Sequence, residues 1–169
     1  YIIQMNNDIL IWPGALEAIL EVFSHTELDP PVGVVMPNLV KRPYQKDCLR
    51  EDGKIDFFKL LTLDVKDLVL PHPDVYEPGA EFGSMWCMKK ELVDKLIEQD
   101  GFFFDPQFLI GMSEDRDIWI RVRKLGYQTY RTNRTRVGHL GNLTISKVPD
   151  HKKYTTENRD KLKKKWNLQ

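Results

Sequence analysis

Apolar residues fall along this chain in short runs and helical stripes that alternate from one end to the other. Tyr1-Ile2-Ile3-Gln4-Met5 is a short run rich in β-branched residues and predicts a buried strand, stopped by Asn6-Asn7-Asp8. Pro13 suits the first position of a helix that continues through Phe23, with Leu16, Ile19, Leu20 and Phe23 on one face. Val32 to Met36 predicts a second buried strand, ended by Pro37. Lys41 to Asp56 is polar and predicts a surface loop, Phe57 to Leu63 a short helix, and Pro71, Pro73 and Pro78 mark an irregular segment. Glu81 to Met88 predicts a strand, and Lys89 to Gln99 a helix with Leu92, Val93, Leu96 and Ile97 inward. In a helix from Ser113 to Leu125, Asp115, Ile118, Trp119 and Val122 recur at i, i+3, i+4 and i+7, and Gly126 closes it. Tyr127–Tyr130 and Thr135–Val137 predict two short strands, and Thr155 to Trp166 a last helix. Strands alternating with helices predict the α/β class.

Hydrophobic residues make up 41% of the 169 positions, enough for one domain with a core. Lys+Arg and Asp+Glu each number 25, and this absence of net charge argues against nucleic acid as a partner. Cys48 and Cys87 make neither a metal spacing nor a disulfide framework, which fits a reducing compartment and an expected cytoplasmic location. No apolar run approaches the roughly 20 residues that span a bilayer. The chain opens inside a predicted strand with neither initiator Met nor signal peptide, as expected of the later part of a larger protein. The last helix carries Lys161, Lys163, Lys164 and Lys165, a solvated face or else a peripheral contact for a membrane surface or anionic ligand.

Two polar clusters carry candidate chemistry. Asn6-Asn7-Asp8 ends a strand with outward oxygens of the kind hard divalent cations take, although a plain polar turn has the same look. Glu114, Asp115 and Asp117 lie within four positions at a helix start, with Ser113 as N-cap; ordinary first-turn acids look the same. Gly83-Ser84 leaves room for close approach of a ligand or another backbone. The aromatic stretch Gly101 to Pro106 is either core packing or a platform beside a sugar. His139, after a strand and between Gly138 and Gly141, is either structural or within reach of a metal or phosphate. Asn133-Arg134-Thr135 and Asn142-Leu143-Thr144 match the glycosylation sequon.

The order of these signals resembles the C-terminal part of the inverting GT-A glycosyltransferases that use nucleotide-diphosphate sugars (family 2-like). The resemblance rests on Asn6-Asn7-Asp8 with Pro13-Gly14, Val32 to Pro37, Gly101 to Asp105, Glu114-Asp115-Arg116-Asp117 with Arg121, Gly126-Tyr127, His139, and Asn158 through Lys165-Trp166. It covers nearly the whole chain apart from Lys41 to Pro78. It implies a GT-A (Rossmann-like) mixed sheet flanked by helices, one partial domain over 1–169 that starts at the DXD-type strand, with 149–169 a basic C-terminal helix. The family's opening strand–loop–helix, which binds the nucleobase, has no counterpart before Tyr1.

By that resemblance, Asp8 binds Mn²⁺ or Mg²⁺ bridging the two phosphates, with Asn7 beside it; the first motif position is Asn rather than Asp. His139 matches a histidine near metal and diphosphate, and Gly83 lies on a strand lining the donor site. Glu114-Asp115 matches the family's ED motif, with Asp115 as general base, Glu114 supporting acceptor or loop, and Arg121 holding the helix. The implied donor is a nucleotide-diphosphate sugar, UDP-sugar foremost. The implied acceptor is a hydroxyl of a glycan, lipid-linked or protein substrate in glycan or polysaccharide synthesis. The competing expectations are a non-catalytic sugar-nucleotide-binding or assembly module of the same fold, and a nucleotidyltransferase of similar architecture.

Overall fold

The computed structural model describes residues 1–39, 50–52, 56, 59, 76–78, 83–139 and 147–169. The loop expected from Lys41, the helix expected over Phe57–Leu63 and the sequon at Asn142 fall wholly or almost wholly outside them. Among the described residues six strands form one mixed sheet: β1 (Ile2–Met5), β2 (Ile9–Ile11), β3 (Val32–Leu39), β4 (Tyr76–Pro78), β5 (Met85–Met88) and β6 (Gln128–His139). The helices among the described residues are α1 (Ala15–Val22), α2 (Lys90–Asp100), α3 (Glu114–Lys124) and α4 (His151–Trp166). The strand order is β1-β5-β3-β6-β2, with β4 also paired to β6. Of the strand pairs described, β3 and β6 run parallel and the others antiparallel. The expected α/β sheet flanked by helices is therefore present.

The central strands are buried on both faces, so they read as continuous apolar runs. Val34 and Met36 of β3, with Trp86 and Met88 of β5, face α2 and α3 through Leu92, Val93, Leu96, Ile118, Trp119 and Val122. Val35, Met85 and Cys87 alternate to the other face and meet Ile19, Val22 and Phe23 at α1. Burial pushes the Cys87 thiol up to about 11, so it is an inert core group.

Several expectations are corrected. β1 is not buried: among the described residues it pairs with β5 alone, and Ile2, Ile3 and Met5 are exposed. α1 starts at Ala15 rather than Pro13, and its buried stripe is Ala15, Ile19 and Val22, which turns Leu16 outward. β3 runs through Pro37 to Leu39; its pairing with β5 involves Val34 and Val35, so at Pro37 that side needs no donor. Pro78 lies in β4, an antiparallel partner of β6. Ile97 of α2 is exposed. The two strands expected over Tyr127–Tyr130 and Thr135–Val137 are one strand, β6, and α4 begins at His151 rather than Thr155. Asn133 is buried and accepts a 2.6 Å hydrogen bond from Asn38, so its sequon is folded away. Among the described residues, no helix is long and apolar enough to cross a membrane.

β1 and β2 lie at opposite ends of the strand order but are joined only by Asn6, Asn7 and Asp8. Four strand spacings amount to about 19 Å, whereas four residue steps reach about 14 Å. A flat sheet could not be closed by this turn, so the sheet coils. The bend has a visible source: Pro37 pairs with Thr132 but Asn38 with Arg136, so β6 bulges between them. Beyond the bulge, the tail of β6 carries β2 round towards the end of β1.

Candidate functional site

Strand directions bring three distant stretches to one end of the sheet. The C-terminal ends of β1, β3 and β6 and the N-terminal end of β5 all lie there, because β5 is antiparallel to β1 and β3 while β6 is parallel to β3. Met5 is opposite Met85, so the Asn6 backbone N–H falls beside Ser84 and donates to its carbonyl at 2.8 Å. Ile9 is opposite His139, so Asp8 arrives next to the imidazole, with Oδ1 3.2 Å from Nε2. The Asn6 side-chain amide is 3.4 Å from the same His139 nitrogen and also 3.5 Å from the Gln4 amide nitrogen, which donates to Asn6 Oδ1. Asp8 and His139 are half-buried, and Asn7 is exposed in the turn.

The acids of α3 reach the same end through Gly83. A β-carbon at position 83 would lie 2.8 Å from the Asp115 carboxyl carbon and 3.0 Å from its Cβ. The space that glycine provides is therefore filled by Asp115, not left open for a ligand. Asp115 Oδ1 accepts a 2.7 Å bond from the Arg116 backbone N–H. Glu114 is half-buried; burial first, and then the neighbouring Asp115 charge, push its carboxyl above the ordinary carboxylate range against the pull of a backbone hydrogen bond. Among the described residues its Oε2 is buried without a hydrogen-bond partner.

The third acid has a different task. Asp117 is fully buried, as deep as Ile118 and Trp119, because α4 covers the side of α3 that the sequence left unassigned. Its Oδ1 accepts from Trp166 Nε1 and meets Lys165 Nζ, both at 2.7 Å, and Oδ2 lies 3.6 Å from Arg121. Arg121 is buried and donates to Asp100 at 2.6 Å and to the carbonyls of Phe103 and Phe102 at 2.6 and 2.7 Å. It holds the helix and its preceding loop, as expected. The lysines of α4 are not one solvated face. Lys165 also pairs with Asp105 at 2.7 Å and Lys161 donates to the Gln107 carbonyl at 2.8 Å, while Lys163 and Lys164 are exposed.

The loop between α2 and α3 is built from both sides. Phe103 stacks on core Trp86 with ring centroids 5.7 Å apart, while Phe104 is exposed. Ile110, Gly111, Met112 and Ser113 follow one another with φ of 62, 78, 75 and 80°. The three non-glycine residues there store strain of about 1–3 kcal/mol each. Ser113 takes the N-cap position as expected, but its side chain makes no capping bond. Asn158 of α4, fully buried, donates to the carbonyls of Leu109 and Gly111, each at 2.8 Å.

For a metal, the donor set is partial. Among the described residues no group of three or more His, Cys, Asp or Glu side chains could hold an ion. Asp8 and His139 offer one carboxylate oxygen and one imidazole nitrogen 3.2 Å apart. Adjacent ligands of an octahedral ion lie about 3 Å apart, given metal–oxygen distances of about 2.1 Å. The spacing of the pair matches two neighbouring positions of an octahedral Mg²⁺ or Mn²⁺ ion. A pocket lined by Phe23, His25, Leu28, Val32, Lys89, Glu91 and Tyr127 opens at the other end of the sheet, remote from these groups.

Two residues of the arrangement were not singled out by their chemistry in the sequence. Asn6 joins His139 and Ser84, and only its place in the Asn-Asn-Asp run pointed to it. Asn158 looked like one polar residue in a lysine-rich helix; its spacing of four from Leu162, the other buried residue of α4, was the available signal. Comparison of the chain with models of protein families, with functionally characterised proteins and with solved structures finds no match.

Proposed function

We propose that this chain carries the metal-binding and acceptor-activating part of an inverting, GT-A-like glycosyltransferase that moves a sugar from a nucleotide-diphosphate sugar to an acceptor hydroxyl. The observation that supports this most is convergence. Asp8, His139 and Asp115 come from three separate stretches and are linked, through Asn6, Ser84 and Gly83, at one end of the sheet. In open α/β sheets, ligands bind outside the carboxyl ends of the strands.

In this reading Asp8 and His139 would hold the divalent ion, the imidazole nitrogen exchanging its contact with the Asn6 amide for the metal. Bound there with the donor, the ion supplies Lewis-acid stabilisation of the departing diphosphate. Asp115 accepts the proton of the acceptor hydroxyl as the new C–O bond forms and the bond to the diphosphate breaks on the opposite face of the sugar. Glu114 stands beside it, its own carboxyl raised by burial and by the Asp115 charge, and supports the acceptor or the loop. UDP-sugar is the donor to test first.

One observation favours a second reading, a non-catalytic sugar-nucleotide-binding module. Asp115 already accepts a hydrogen bond through one oxygen and packs its carboxyl against Gly83. The experiment that separates the two is an assay of the full-length protein with Mn²⁺ and UDP-sugars, with and without chelator. Metal-dependent release of UDP, lost in Asp8→Ala with the fold intact, supports the transferase. Metal-dependent UDP binding without turnover on any acceptor class supports the binding module.

A further inference from the structure

We infer that Asn158 is a positioning residue whose side-chain amide, by donating to the Leu109 and Gly111 carbonyls, sets the strained loop that delivers Glu114 and Asp115 to the end of the sheet. The part of this that concerns catalysis rests on the transferase reading above.

The geometry behind it is specific. Both bonds come from one nitrogen, Asn158 Nδ2, at 2.8 Å each, and the residue is fully buried. One amide group thus fixes two carbonyls that flank Ile110, the first of four consecutive residues with positive φ. Those four residues lead directly into Glu114. A chain segment in this conformation persists only when its surroundings over-determine it. Gly111, whose carbonyl Asn158 holds, is also the residue against Glu114: a β-carbon there would lie 3.5 Å from Glu114 Oε1. The path from α4 to the acids is therefore contiguous, from Asn158 to Gly111 to Glu114, with Asp115 next in the chain. Asn158 Oδ1 is buried with no partner among the described residues, so the side chain is held by its two donations. α4 itself is anchored separately, by Lys165 and Trp166 on Asp117, so losing the amide does not release the helix.

The test uses the full-length protein with two variants. Asn158→Leu keeps the branched shape, in a larger side chain, and removes the donors; Asn158→Ser, smaller and still polar, serves where the first does not fold. The first readout is the titration of Glu114, followed by carboxyl NMR in the folded protein. A loosened loop admits water to Glu114, so its titration should move down towards the ordinary carboxylate range. The second readout is turnover against UDP·Mn²⁺ affinity. Displacing the acids by even about 1 Å should lower turnover on the order of 10²-fold, with UDP·Mn²⁺ affinity unchanged because Asp8 and His139 are untouched. An unchanged Glu114 titration in a folded variant overturns the inference, whatever the enzyme activity. A shifted titration in a protein that transfers no sugar upholds the positioning role and removes the transferase reading instead.

Discussion

Gly83 has no side chain where Asp115 has its carboxylate, and the two residues occupy what is in effect one position: a β-carbon on the first would sit 2.8 Å from the carboxyl carbon of the second. That relationship joins the start of β5 to the start of α3, and through Ser84 and Asn6 to Asp8 and His139.

Gly83→Ala should therefore act on Asp115 before anything else. The added methyl group must push the carboxylate away, at a stability cost of about 1–3 kcal/mol typical of overpacking. Turnover should fall more than UDP·Mn²⁺ affinity does. Urea denaturation, a transfer assay and isothermal titration of the same variant give the three numbers.

Asp117 is expected to matter for folding rather than for chemistry. Removing its charge with Asp117→Ala leaves buried Arg121 and the Lys165 ammonium short of a partner, and should cost about 3–5 kcal/mol, as for other buried pairs broken on one side. The unfolding midpoint in urea should drop accordingly. Mild variants that stay folded should retain transfer activity.

Much of this architecture is legible in the sequence, for reasons that differ by element. β3, β5, α2 and α3 are dense apolar runs or clean stripes, so period and burial agreed. β1 misled because an apolar, β-branched run looks buried whether or not a neighbour covers it. β6 was split because Asn133 and Arg134 interrupt its apolar pattern. Those residues sit in the bulge between the Thr132 and Arg136 pairings, so the interruption marked an irregularity within one strand rather than a loop. Asp8, His139 and Asp115 were identifiable as candidates because polar residues at element ends stand out. Asn158 was marked only as the start of a stretch that carries the resemblance; its task was not readable, since a buried amide that serves a distant loop has no local signature. Asp117 lies outside the stripe of Asp115, Ile118, Trp119 and Val122, and its burial under α4 depends on a packing partner about fifty residues away that sequence periodicity does not reveal.

Acid should weaken the junction between α4 and the α2–α3 loop. Burial alone would push the Asp105 carboxyl up, but the Lys165 ammonium and the backbone and side-chain N–H groups of Gln107 outweigh it and hold it below the ordinary range. A depressed native pKa gives stability that is present above the unfolded carboxylate value and lost as pH falls through the native one. Asp105→Asn should therefore be less stable than the parent at pH 7, and the gap should close towards pH 2–3 on the order of the carboxylate range. Thermal melts across pH measure it.

Glu114 has the opposite sign. Its raised native pKa contributes stability that is complete below the unfolded carboxylate value and lost as pH rises through the native one. Glu114→Gln should therefore be relatively more stable than the parent at pH 7 than at pH 4. Equal differences at both pH values would mean the carboxyl is solvated.

The most direct measurement of the central claim is transfer by Asp115→Asn beside Asp117→Asn, with UDP-sugar and Mn²⁺, in the full-length protein. The amide is nearly isosteric with the carboxylate but cannot take the acceptor proton. The account predicts that Asp115→Asn binds UDP·Mn²⁺ normally and loses about 10²–10⁴-fold in turnover, while Asp117→Asn is less stable but active. Near-normal turnover in Asp115→Asn, with loss in Asp117→Asn, would contradict it.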